Sequence, residues 1–97
     1  MNQKIQTAEV DHLFDAILTL KTREDCYRFF SDLCTIKELL AMAQRFEVAL
    51  MLSDHITYLD IAEATGASTA TISRVNRALS YGEDGYQMVF DRIVTGS

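Results

Sequence analysis

The chain has 97 residues, 48% of them hydrophobic, and a formal net charge of −5, which bounds it to one domain with a modest core. Proline is absent and glycine occurs only four times, a composition that favours helices over turn-rich β structure. No apolar run approaches the ~18 residues of a membrane span, and the first residues lack the apolar centre of a signal peptide, so the cytoplasm is the expected location.

In chain order, the apolar periodicity is helical throughout. Val10, Leu13, Phe14, Ile17 and Leu18 predict a first helix over 7–20. Cys26, Phe29, Phe30 and Leu33 predict a second over 23–32. Ile36, Leu39, Leu40, Ala43, Phe46, Leu50 and Met51 mark the longest, over 36–52. Shorter helices are predicted over 58–64, 69–80 and 85–94, the last from Tyr86, Val89, Phe90 and Ile93. Capping signals punctuate them. Thr22, Thr35 and Thr57 each stand three residues before a carboxylate (Asp25, Glu38, Asp60), and Glu38 suits the reciprocal box best because its side chain is longer. Asp84 and Gln87 form a fourth variant, and Ser68 is a further N-cap candidate. The fold class is all-α, about six helices with no competing strand pattern.

The most informative stretch is YLDIAEATGASTATISRVNRAL, Tyr58 to Leu79. It reads as a helix-turn-helix: Ala62 is the small residue where the helices touch, and Gly66 is the turn residue able to take positive φ. Ile61, Ile72 and Val75 point to the core. Thr69, Ala70, Thr71, Ser73 and Arg74 stay on or near the free surface, a small and polar surface suited to a major groove. Ser68 to Gly82 carries two arginines, Arg74 and Arg77, and no acid, a net of +2. Every other segment is net negative, and Asp60 and Glu63 flank the phosphate side, so DNA affinity is expected to be weak for one copy. The stripes of the first, second and last helices exceed what a core of this size covers, and a second copy would satisfy them.

Other chemistry has little support. Cys26 and Cys34 are too few for a disulfide framework and are expected as buried thiols. His12 and His55 lack neighbours at metal-ligand spacing, so no metal is expected. No nucleotide- or cofactor-binding glycine motif and no nucleophile elbow occurs, so no cofactor is expected and the chain does not read as an enzyme.

GASTATISRVNRALSYG, the upstream LAMAQRFEVALML and CYRFFSDLCTIKELL resemble the Trp-repressor-like YerC/YecD family of the tryptophan repressor superfamily, over roughly residues 8 to 93. The resemblance implies an intertwined homodimer and a transcriptional regulator, a repressor, acting on double-stranded DNA. It implies DNA contacts in which Thr69, Ala70, Thr71 and Ser73 sit at base edges and nearby phosphates, Ser68 takes a phosphate, and Arg74 and Arg77 lie closer to the core or the flank. It also implies a small-molecule effector site at Thr35, Arg45 and Arg74, although Arg74 could instead pair with Glu38 or Glu47. Ala78 stands where the repressor has a serine that helps hold a carboxylate. Losing that charge-assisted bond costs on the order of 1.5–3 kcal/mol, which argues against tryptophan itself. The alternative is a protein-interaction module of the same fold that binds little or no DNA, for which the acidic surface speaks.

Overall fold

A computed structural model describes residues 3–95 and contains, among them, six α-helices and no strand. They are α1 (Ala8–Ile17), α2 (Arg23–Leu33), α3 (Ile36–Ser53), α4 (Tyr58–Thr65), α5 (Thr69–Tyr81) and α6 (Gly85–Thr95). The chain divides into two compact units, Met1–Leu39 and Leu40–Ser97.

In the first unit the helix starts follow hydroxyl chemistry. Thr7 and Thr22 are extended N-caps whose oxygens accept from the Val10 and Asp25 amides at 3.2 and 3.0 Å. Thr35 and Glu38 form the full reciprocal box. The Glu38 amide donates to Thr35 Oγ1 at 3.1 Å, and the Thr35 amide donates to Glu38 Oε1 at 2.8 Å. The Thr35 amide first, and the Thr35 hydroxyl second, hold the Glu38 carboxyl below its ordinary pKa. Asp25 reaches one residue further back, accepting from the Lys21 amide at 3.1 Å, and that bond is the chief reason its carboxyl is also lowered. The first helix is shorter than its predicted 7–20. After Ile17 the amides of Thr19 and Leu20 donate three residues back, and the Thr19 hydroxyl takes the Ala16 carbonyl at 2.7 Å, which tightens and ends the helix. Cys26 is exposed and Cys34 half-buried, so the expectation of two buried thiols fails. Neither α1 nor α2 contains a buried residue: Phe14 is 51% exposed and Tyr27 65%. Phe29 and Phe30 meet edge to face at 5.6 Å.

The second unit holds the core. Val48 and Ala49 of α3, Ile61 of α4, Ala67 of the turn, Ile72 and Val75 of α5 and Phe90 of α6 are buried. Phe46, Tyr86 and Phe90 make an aromatic cluster along one side, with centroids 5.6 to 6.4 Å apart. Full burial of a side chain the size of Ile61, Ile72 or Val48 contributes about 1.5–3 kcal/mol each. The end of α3 is a Schellman motif. Ile56 N–H donates to the Met51 carbonyl and His55 N–H to that of Leu52, both at 3.0 Å, with His55 at φ 62° in the place glycine usually takes. Asp84 also has a left-handed φ, 59°, so it is not an ordinary N-cap. Gln87 donates to Asp91 at 2.9 Å and does not reach back, so the fourth capping box does not form.

Candidate nucleic-acid interface

The helix-turn-helix is built from α4, the turn Gly66-Ala67-Ser68, and α5. Gly66 lies at φ 74°, ψ 5°, and its amide donates to the Ala62 carbonyl at 2.8 Å. This left-handed residue closes α4 and redirects the chain. Ala67 is buried directly after it, and Ser68 caps α5 by accepting from the Thr71 amide at 3.1 Å. Thr65 secures the same turn. Its hydroxyl donates to the Ile61 carbonyl at 2.7 Å and accepts from the Ala67 amide at 3.1 Å. The Gln44 side chain of α3 donates to the Thr65 carbonyl at 3.1 Å, tying the turn to the long helix. Sequence reasoning missed both residues. A threonine just before a helix-ending glycine is a readable signal, because such hydroxyls bond the carbonyl four residues back. Gln44 has none, since its partner is twenty-one residues away.

Ile61, Ile72 and Val75 face the core as predicted, with at most 3% exposure. On the free side of α5, Ser68, Thr69, Ala70, Ser73, Arg74 and Arg77 are exposed. Thr71 lies near, not on, the free surface. It is half-buried, and its Oγ1 lies 3.1 Å from Ser68 Oγ, which can donate to it.

Thr71 lines a pocket of about 290 Å³ with Gln44, Arg45, Arg74, Ala78 and Tyr86, and with Ala41 and Val75 at its apolar wall. The structure therefore brings together Arg45 and Arg74, two of the three residues expected at an effector site, and places Ala78 beside them. The third, Thr35, belongs to the first unit and serves there as the cap of α3. Within the second unit neither guanidinium has a hydrogen bond or ion pair with another described residue, so Arg74 does not pair with Glu47. Two unneutralised cations over an apolar wall suit an anionic group carrying an apolar body. No group of three or more potential metal-ligating side chains occurs among the described residues, and His12 and His55 are both exposed. No helix among them is long and apolar enough to cross a membrane.

The family model for the Trp repressor protein matches residues 8–94. The chain is 58% identical over 90 residues to the protein YerC of Bacillus subtilis (strain 168), covering 93% of this chain and 86% of that one. Among solved structures it is similar to a TrpR-like protein from Eubacterium eligens ATCC 27750, with a TM-score of 0.93 and 62% identity over 97% of both chains. It is also similar to a candidate Trp repressor from Staphylococcus aureus, with a TM-score of 0.91 and 53% identity over 94% of this chain and 91% of that one. The all-α fold, the left-handed turn between α4 and α5 and a match along nearly the whole chain agree: this protein belongs to the Trp repressor family.

Proposed function

We propose that the chain is a sequence-specific DNA-binding transcriptional regulator, a repressor, that works as a homodimer without catalytic chemistry. The observation that carries this is the outward face of α5. It is small and uncharged at its N-terminal end, cationic at Arg74 and Arg77, free of acids, and held by a left-handed turn on a packed support. In the major groove, Thr69, Ala70 and Ser73 would approach base edges, with thymine methyls meeting Ala70 and the Thr69 methyl. Ser68 and the first amides of α5 would take phosphates, as would Arg74 and Arg77. Thr71 would act on the duplex from the pocket wall. Membership of a regulator family supports this reading.

The homodimer is supported by α1 and α2, which bury no residue of their own and leave Phe14, Leu18, Tyr27 and Leu33 about half exposed or more. Two copies also supply affinity that one acidic copy lacks. A corepressor is supported by the unpaired Arg45 and Arg74, which would hold an anionic head group.

The test is selection of bound duplexes from a random pool at low salt, with the mass of the chain measured in the same buffer. A palindromic site with half-sites about ten base pairs apart, bound by a dimer, supports the reading. Up to four phosphate contacts by Arg74 and Arg77 in the dimer give a salt slope near −3.6, shallow for a repressor. A folded chain that enriches no duplex, with or without added carboxylate ligands, overturns it in favour of a protein-interaction module.

A further inference from the structure

Tyr81 is the last residue of α5 and is 87% exposed, an unusual position for a ring that size. At about 100° per residue, Ala70, Arg74, Arg77 and Tyr81 fall within ~60° of one another around the helix. Ile72, Val75 and Leu79, which pack into or against the core, lie on the opposite side. The tyrosine therefore continues the cationic face of the helix, and packing of the second unit does not account for it. The apolar groove beside the end of α5 does not claim it either. That groove is lined by Phe46, Ala78, Gly82, Tyr86, Met88 and Val89, without Tyr81. Gly82 fixes the helix end there: its amide donates to the Ala78 carbonyl at 2.9 Å, and a Cβ on it would collide with that same oxygen.

The axial distances then matter. From Ala70 the rise along α5 is about 10 Å to Arg77 and about 16 Å to Tyr81. The major groove is about 12 Å wide. With the first turn of α5 at the base edges, Arg77 sits near the groove lip and Tyr81 over the sugar–phosphate strand beyond it. A phenol is a neutral hydrogen-bond donor suited to a phosphate oxygen. We propose that Tyr81 is a DNA-backbone contact, its hydroxyl donating to a phosphate flanking the bases that α5 reads. This rests on the DNA-binding reading and extends its footprint by one turn of helix, without adding base information.

The experiment compares wild type, Tyr81→Phe and Arg77→Gln on the selected duplex and on an unrelated one. Tyr81→Phe should weaken both by about 10- to 100-fold, since the bond lost is to a charged phosphate. Its salt slope should match wild type, because a neutral donor releases no counterion, whereas Arg77→Gln should lower the slope by about 0.9 for each phosphate left unneutralised. Replacing the flanking phosphate by a neutral methylphosphonate should weaken wild type and leave Tyr81→Phe unaffected. Equal affinity of wild type and Tyr81→Phe on the selected duplex overturns the proposal while the DNA reading stands. A Tyr81→Phe chain with altered mass in solution also overturns it, assigning the hydroxyl to contact between copies. A wild type that binds no duplex removes the DNA reading and this proposal together.

Discussion

Replacing Gly66 by alanine tests the turn on which the whole interface depends. At φ 74° an L-residue pays about 1–2 kcal/mol for the left-handed conformation. A Cβ built there meets nothing within 4 Å, so no steric cost is added. Loss of glycine's freedom in the unfolded chain returns about 0.4–1 kcal/mol. The net is a destabilisation of about 1 kcal/mol, or about 4–8 °C in Tm for a domain of this size. Asparagine tolerates the same conformation, and Gly66→Asn should therefore lose clearly less than Gly66→Ala. Urea unfolding of the three proteins, at one fixed protomer concentration because association adds to apparent stability, reads these differences. An alanine variant as stable as wild type would mean that the turn is not left-handed in solution. A loss above about 3 kcal/mol would mean that the new methyl strikes a neighbour, and either result refutes the account.

Ile72→Ala should cost about 2–5 kcal/mol, because the side chain is fully buried between the helices, while Ser73→Ala on the exposed face should stay within about 0.5 kcal/mol; similar losses in chemical denaturation would contradict the assignment of faces. His55→Gly should stabilise the chain by up to about 1 kcal/mol, since glycine relieves the left-handed strain at the end of α3 and gives back part of the gain as unfolded-state entropy; a lower Tm would refute that. The Glu38 carboxyl is held below its ordinary pKa by the amide and hydroxyl of Thr35. The stability it contributes is therefore complete above the unfolded value and is lost as pH falls through the lowered folded value. Glu38→Gln should flatten the acid limb of stability against pH, and an unchanged limb would show that the box does not persist in solution.

What could be read in advance divides by distance along the chain. The threonine caps, the glycine turn and the inward Ile61, Ile72 and Val75 are settled by partners within about four residues, and all of them are present in the structure. Position along α3 was less legible. The helix is apolar nearly all round, with Ile36, Leu40, Met42, Val48, Ala49 and Leu52 on different sides, so periodicity alone could not single out Val48 and Ala49 as its buried pair. Ile36 and Leu40, at 80% and 63% exposed, were part of the predicted stripe and lie outside the core. His55 gave no warning of its left-handed backbone, because the partner that matters is the Ile56 amide reaching back to Met51. Thr71 is the instructive case. It stands four residues before Val75, and that spacing places it beside the core face of α5, which is why it is half-buried where its neighbours Thr69, Ala70 and Ser73 are exposed. Its half-burial has a functional consequence. In the proposed complex, direct base contact would fall mainly to Thr69, Ala70 and Ser73, none of which can make a bidentate bond to a base, and the two pocket arginines adjoin α5 beside Thr71. On that reading, discrimination among sequences would come from thymine methyls, single hydroxyls, water and duplex shape. Affinity would come from phosphates, so the cationic face from Arg74 onward would matter more than the charge of the whole chain suggests.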